Sequence, residues 1–204
     1  MARVPVAVML SGRGSNLSAL IEASRAPDYP AEIVLALSNR ADAGGLAAAR
    51  AAGIAACAIE HRRYGGDRGA HEQAIDAALR EAGVQCVCLA GYMRLLTPFL
   101  TQAWQGRMLN IHPSLLPAFP GLHTHERALR AGVKLHGCTV HLVTEVMDDG
   151  PILGQAAVTV RADDTPPTLA TRVLRQEHIL YPLALRRHLG APAHEDTDAA
   201  LLAV

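Results

Sequence analysis

The chain has 204 residues, of which half are hydrophobic and 19% are charged, and 19 basic residues balance 19 acidic ones. Such a chain is long enough for one domain with a sizeable core. Its zero formal charge and its 3% aromatic content exclude a basic nucleic-acid surface and a stacking platform for single strands. The apolar runs are too short to cross a bilayer, so no membrane partner is expected.

Apolar runs typical of buried strands alternate with helical stretches through the first half of the chain. The strands are predicted at Val4–Leu10, Ile33–Ser38, Ile54–Ile59, Val84–Ala90 and Met108–Ile111. The helices between them are predicted at Asn16–Ser24, Asp42–Ala52 and Arg68–Ala82. This alternation predicts a parallel sheet with helices on both faces, and it explains why the strands are continuous apolar runs.

The pattern changes after His112. A loop rich in proline and glycine precedes a short helix, predicted at Glu126–Ala131. Two strands are predicted next, at His136–Val143 and Ile152–Val160, and a long helix that begins with prolines is predicted at Pro166–Leu189. The predicted fold class is therefore α/β: a Rossmann-like, mostly parallel sheet with helices on both faces and an antiparallel C-terminal strand pair. We expect a single domain over residues 1–190, followed by a flexible tail over residues 191–204.

A glycine-rich turn, Ser11-Gly12-Arg13-Gly14-Ser15-Asn16, lies between the first predicted strand and helix. Glycine lets a backbone approach a ligand closely, and the N–H groups at a helix start attract an anion. The turn lacks the lysine of a P-loop, and Leu17 replaces the third glycine of the dinucleotide motif. We therefore predict a site for a single phosphate; the alternative is a tight turn capped by Ser15 or Asn16.

Asn110 and His112 lie two residues apart, directly before a proline. In an extended segment their side chains share one face. An amide can donate to a developing oxyanion and an imidazole exchanges protons near neutral pH, so the pair predicts chemistry at a carbonyl group. We interpret Asp148 as the carboxylate that orients His112 and stabilises its imidazolium, although the segment Asp148–Gly150 is also typical of a simple turn.

The remaining polar candidates have simpler interpretations. His123 and His125 have no third ligand at useful spacing, so they are interpreted as structural or substrate-adjacent groups rather than a metal site. His141 is a candidate for the pocket wall. Ser114 has no evident separate base, which disfavours a covalent acyl intermediate.

The four cysteines, Cys57, Cys86, Cys88 and Cys138, are scattered and lack metal-binding spacing. We interpret them as free, buried thiols of a protein in the reducing cytosol. The apolar start of the chain leads into the glycine turn and not into a cleavage site, so it is interpreted as a strand and not as a signal peptide. A cytoplasmic location is therefore expected.

Several motifs together resemble the phosphoribosylglycinamide formyltransferases, which are folate-dependent enzymes of purine synthesis. They run through nearly the whole chain and comprise Leu10–Leu17, Leu89–Leu96, Leu109–Pro117, Pro120–His125, Asp148–Ile152 and Gln176–His178. The central block is specific to folate formyl transferases. The first motif and the Pro120–His125 extension favour this branch over the methionyl-tRNA formyltransferases, whose basic C-terminal domain is also not seen.

The resemblance implies a role for each site residue. Catalysis would depend on Asn110, His112 and Asp148, without a metal. The substrate phosphate and ribonucleotide would be held by Gly14, Ser15, Asn16 and Glu177, and the folate by Arg68, Met93, Arg94, Leu95, Leu96, Thr144, Glu145, Val146 and Met147. The co-substrate would be 10-formyltetrahydrofolate, the formyl acceptor would be the amine of glycinamide ribonucleotide, and the protein would be a monomer or homodimer.

Two alternatives remain open. A formyltetrahydrofolate hydrolase resembles this core but uses water instead of the amine, and it usually carries a regulatory domain, which does not precede Val4 here. A non-catalytic folate- or nucleotide-binding module would need the glycine turn but not the catalytic trio.

Two residues depart from the family pattern: Arg13 occupies the variable position of the phosphate loop, and Asp149 replaces a glycine that is frequent after the catalytic aspartate.

Overall fold

The computed structural model describes residues 2–190 and the backbone of Leu202–Ala203. The strands are β1 Val4–Leu10, β2 Ala31–Ser38, β3 Ala55–Ala58, β4 Cys86–Leu89, β5 Met108–His112, β6 Leu135–Leu142, β7 Ile152–Thr159 and β8 Leu202–Ala203. The α-helices are α1 Ser15–Ser24, α2 Gly44–Ala51, α3 Arg68–Glu81, α4 Pro98–Ala103, α5 Thr124–Ala131 and α6 Pro166–His188. A 3-10 turn covers His61–Tyr64.

All the described strands form one sheet in the order β3-β2-β1-β4-β5-β6-β7-β8. The first five strands in this order, β3-β2-β1-β4-β5, pair in parallel. β6, β7 and β8 each pair antiparallel to the strand before them. The predicted Rossmann-like sheet with an antiparallel strand pair is therefore confirmed. Because the chain reverses its direction of winding between β1 and β4, the carboxyl ends of these two strands open a crevice.

Alternate residues of β1 belong to different hydrophobic cores. Val6, Val8 and Leu10 pack in the cluster that includes residues of α1, α2 and α6. Ala7 and Met9 face the other cluster, which includes residues of α3 and α4. Successive side chains of a strand point to opposite faces, so a strand covered on both sides is apolar throughout. This is the reason for the continuous apolar runs of the sequence.

Three short elements are absent from the sequence-based prediction, namely α4, the 3-10 turn and β8. The first two are too short to show a helical period, although Pro98 at the first position of α4 is a known start signal. The predicted C-terminal tail lies outside the described residues apart from Leu202–Ala203, whose backbone pairs with Gln155 and Ala156. Among the described helices, no segment is both long and apolar enough to span a membrane.

Candidate active site

The candidate site lies at the carboxyl ends of β1, β4 and β5. In an open α/β sheet, this edge is where loops from different strands meet and where ligands bind. The antiparallel register of β5 and β6 pairs Asn110 with His141, and His112 with Thr139. All four side chains therefore lie on one face of the sheet, directly beside the turn that follows β5.

His112 is buried between two hydrogen-bond acceptors. Its Nε2 lies 3.0 Å from the carbonyl oxygen of Phe119, and its Nδ1 lies 3.5 Å from Oδ2 of Asp148. A neutral imidazole carries only one N–H, whereas an imidazolium donates from both nitrogens. A neutral His112 ring can therefore donate to only one of these two neighbours at a time.

Asp148 lies in the loop between β6 and β7 and has a left-handed backbone conformation, with φ at +57°. Aspartate is one of the few residues that adopt this conformation readily. Its Oδ2 accepts a hydrogen bond from the backbone N–H of Gly121 at 2.8 Å, and its Oδ1 lies 3.8 Å from Nε2 of His141. The loop after β5 and the loop after β6 thus hold one carboxylate between two histidines.

Asn110 is oriented by its partner across the sheet. Its Nδ2 lies 3.1 Å from Nε2 of His141, and Nδ1 of His141 lies 2.9 Å from the carbonyl oxygen of Leu142. Because Nδ1 of His141 must donate to this carbonyl, Nε2 can accept from the amide. Burial lowers the pKa of His141, which favours this neutral form.

The glycine-rich turn leaves the start of α1 without a side-chain cap. The N-cap residue is Gly14, with φ at +80°, and no side chain bonds to the first N–H groups of the helix. The alternative in which Ser15 or Asn16 caps the turn is therefore wrong. A Cβ atom on Gly14 would lie 2.6 Å from Cα of Gly45, so the close approach of α2 requires glycine here.

Asn16 joins α1 to α6. Its Nδ2 donates to Oε2 of Glu177 at 2.7 Å, and both residues are buried. Burial raises the pKa of Glu177, and the hydrogen bond from Asn16 opposes this shift. The Oδ1 atom of Asn16 is buried and has no hydrogen-bond partner among the described residues. The two residues assigned to the ribonucleotide on different helices therefore contact each other directly.

The residues assigned to the folate lie mainly on two exposed loops. Four large apolar side chains of these loops are more than half exposed, namely Met93, Leu95, Val146 and Met147. Such exposure is unusual for large apolar side chains. The loop after β4 is held to β1 because the backbone N–H of Met93 donates to Oγ of Ser11 at 2.8 Å. Exposed apolar side chains of this size are candidates for a ligand-binding surface.

The other residues of these loops are placed as follows. Arg94 lines a cleft of about 320 Å³ together with Gly12, Asn39 and His61, and Leu96 packs against the core on the α3 side. Oγ of Thr144 donates to the carbonyl of Val146, and Glu145 accepts a hydrogen bond from Gln102. Arg68 is the exposed first residue of α3. Within the described part of the chain, no hydrogen bond or ion pair joins Arg68 to the other predicted site residues.

A second histidine cluster lies beside the loop after β5. Nδ1 of His125 lies 3.1 Å from Nε2 of His136, and burial lowers the pKa of His136 to about 4. His123 is exposed. Residues 2–190 contain no group of three or more histidine, cysteine or acidic residues arranged to hold a metal ion. The contact fits the interpretation of His125 as a structural group.

Three partners of the trio could not be identified as such from the sequence. The carbonyl of Phe119 and the N–H of Gly121 are backbone groups, and no side-chain pattern marks them. His141 was predicted only as a wall of the pocket. Its alternation with Thr139 on a strand beside β5 was the available signal, but the register of the two strands was needed to pair it with Asn110.

The chain is similar to known proteins over most of its length. Residues 4–185 match the formyl transferase family. A crystal structure of phosphoribosylglycinamide formyltransferase from Brucella melitensis is 56% identical, with a TM-score of 0.88, and the match covers 94% of this chain and 98% of that one. The chain therefore belongs to the formyl transferase family.

Its relatives include phosphoribosylglycinamide formyltransferases and trifunctional purine biosynthetic proteins. The Escherichia coli enzyme of that name is 42% identical over 180 residues, which are 88% of this chain and 84% of the bacterial enzyme. The human trifunctional purine biosynthetic protein adenosine-3 is 49% identical over 181 residues. That match covers 89% of this chain but spans only 18% of the human protein.

Proposed function

We propose that the protein transfers the formyl group of 10-formyltetrahydrofolate to the amine of 5'-phosphoribosylglycinamide, a step of de novo purine synthesis. The observation that carries this proposal is the pairing of His112 with Asp148 and of Asn110 with His141, at the edge of the sheet where β1 also leads into an uncapped helix start. A binding module would need the helix start but has no use for a buried imidazole beside a carboxylate, with an oriented amide two residues away.

In the proposed mechanism, the amine nitrogen attacks the formyl carbon and forms a tetrahedral intermediate. The bond from that carbon to N10 of the folate then breaks, and one proton passes from the attacking nitrogen to the departing one. One N–H of the Asn110 amide is engaged with His141, which leaves the second for the developing oxyanion. Asp148 and His112 supply the carboxylate and the imidazolium for the proton transfer.

The contacts of His112 constrain how it takes part. Both of its ring nitrogens already face acceptors, namely the Phe119 carbonyl and the Asp148 carboxylate. His112 can therefore donate to the oxyanion only if the substrate oxygen replaces one of these two partners. The amide of Asn110 needs no such exchange, so we assign it as the donor that is already oriented.

The two substrates would occupy opposite sides of the trio. The phosphate would bind the free N–H groups at Gly14, Ser15 and Asn16, with Glu177 contacting the ribonucleotide. The folate would lie against the exposed apolar side chains of the loops after β4 and β6, with the other residues of those loops and Arg68 around it. We further propose that the enzyme is cytoplasmic, in keeping with its four free cysteines. We also propose that it is a monomer or a homodimer.

The direct test mixes the purified protein with both substrates and follows the deformylated folate by its absorbance. We expect turnover that requires the ribonucleotide amine. No turnover from a folded sample would overturn the proposal. Steady loss of the formyl group without any amine would support the hydrolase instead, and tight folate binding without turnover would support the binding module.

Two substitutions test the assigned roles. Asn110→Ala removes the oxyanion donor, and Asp148→Asn removes the charge beside His112 while keeping an oxygen that can accept from Gly121. Each variant should fold normally and lose turnover on the order of a hundredfold or more, as loss of one oxyanion donor does in other enzymes. Steady-state kinetics with circular dichroism as the folding control measures this, and a near-normal rate would remove that residue from the mechanism.

A further inference from the structure

We infer that His141 is a positioning residue, which holds the Asn110 amide so that its second N–H points at the reacting carbonyl oxygen. The inference rests on the proposed function and extends it to a residue on a different strand. His141 touches neither of the reacting atoms in this scheme and acts through Asn110.

The register of β5 and β6 brings the two side chains together. Asn110 on β5 and His141 on β6 are directly opposite partners in the antiparallel ladder. Side chains at such positions lie on the same face, close enough to interact directly. His141 is 2% exposed, so the contact is shielded from water and retains its directional preference.

The tautomer of His141 follows from the acceptor beside its Nδ1 atom. Nδ1 of His141 lies 2.9 Å from the Leu142 carbonyl, which can only accept. The neutral ring therefore carries its proton on Nδ1 and presents a lone pair at Nε2. A lone pair at 3.1 Å selects the NH2 end of the Asn110 amide over its oxygen end. One amide hydrogen is fixed on the imidazole, and the planar amide then fixes the direction of the other.

The neutral state of His141 is needed for its contact with Asn110. The titratable groups that face it are His112 on β5 and Asp148 in the loop after β6, whose Oδ1 lies 3.8 Å from Nε2. A proton on Nε2 would donate toward this carboxylate and could no longer accept from Asn110. The amide would then lose its anchor or turn its oxygen toward the ring. Burial keeps His141 neutral by lowering its pKa, against the opposing attraction of Asp148.

The kinetic test compares His141→Phe with His141→Gln. Glutamine places an acceptor oxygen where Nε2 lies and cannot be protonated, whereas phenylalanine keeps a ring but offers no acceptor. We expect His141→Phe to lower kcat by about tenfold to a hundredfold with little change in KM, and His141→Gln to lose less than about tenfold. His71→Gln, at a buried histidine on α3 whose ring contacts the Ile59 carbonyl and the Tyr64 ring, is the control and should keep its rate.

A double-mutant cycle with Asn110→Ala shows whether His141 acts through the amide. In the Asn110→Ala background, His141→Phe should cause little further loss, because the group that it orients is gone. Losses that multiply as independent effects, or His141→Phe activity equal to that of the unchanged protein, would overturn the inference.

A measurement without turnover covers the case in which a variant fails to fold. Long-range 15N–1H spectra of the unchanged protein report the imidazole tautomer, and we expect the Nδ1–H form of His141 near neutral pH. The Nε2–H form or an imidazolium would overturn the inference. If the protein transfers no formyl group, the proposed function fails, while the spectrum still tests the orientation of Asn110.

Discussion

The two histidines nearest to the trio differ in which neighbours their ring nitrogens face. His112 lies between two acceptors, whereas His141 lies between an acceptor and a donor. The same side chain therefore faces two acceptors at one position and offers a lone pair to the Asn110 amide at the other. Asp148 contacts both rings, which makes its loop the element that links them.

A pH-dependence of stability follows from His136. Its pKa of about 4 in the folded protein is below the ordinary value of about 6.5, because burial opposes the charged form. The unfolded chain binds the proton more readily, so the free energy of unfolding is highest above that ordinary pKa. It should fall by about 2–3 kcal/mol as the pH drops from 6.5 to 4.

Urea unfolding at pH 7 and at pH 4.5 measures this loss. His136→Gln has no proton to gain at this position, so its free energy of unfolding should fall less over the same range. The other buried histidines contribute to both proteins, and the difference between the two isolates His136. An equal loss in both proteins would show that His136 is not the group responsible.

At the scale of elements, the site depends on where strands end and helices begin. β5 ends at His112, and the start of α1 presents N–H groups with no cap from its own side chains. α6 contributes Glu177 to the α1 start through its contact with Asn16. The groups that we assign to the ligands therefore lie at the end of β5, at the start of α1 and on one side chain of a helix that packs across the sheet.

The close approach of α1 and α2 can be tested with a pair of glycines. Gly14 and Gly53 have similar φ values of +80° and +78°, but only at Gly14 would a Cβ atom meet other atoms within 4 Å. Gly53→Ala should cost about 1 kcal/mol of unfolding free energy from the left-handed backbone alone. Gly14→Ala should cost about 2–4 kcal/mol, since it adds a clash with Gly45.

Chemical denaturation of the two variants gives the comparison. Gly14→Ala should also raise the KM for the ribonucleotide, whereas Gly53→Ala should leave it unchanged because Gly53 follows α2 away from the phosphate turn. Equal losses of stability would contradict the contact between the two helix starts.

At the scale of the whole molecule, one sheet with a core on each face buries most of the thiols. Cys86, Cys88 and Cys138 are buried and Cys57 is half-buried, and all four are free. Burial raises the pKa of Cys86 to about 12 and raises the pKa of the other three as well. A thiol that stays protonated is a poor nucleophile, so the buried cysteines are inert in the folded protein.

Thiol titration at pH 8 checks this arrangement. The folded protein should react slowly and only at Cys57, and all four cysteines should react once urea unfolds the chain. Mass spectrometry of the labelled peptides identifies the site. Prompt labelling of Cys88 in the folded protein would contradict the packing of β4 in the centre of the sheet.

The sequence was sufficient for most of the sheet because its strands are marked locally. β1 was predicted at its observed bounds, and the bounds of β6 and β7 were within one residue. α4 was not predicted, because six residues carry less than two turns of periodicity. The roles assigned to the site residues came from the family resemblance and from their chemistry, and they remain proposals to be tested.

The sequence by itself determined the alternation of strands and helices, the glycine turn, and the shared face of Asn110 and His112, since these depend on neighbours a few residues apart. Only the tertiary structure decided that Asp148 faces His112, that His141 faces Asn110 and that Asn16 bonds to Glu177. Those contacts join loops and strands that are far apart in the chain. They depend on strand order and register, which no local periodicity contains.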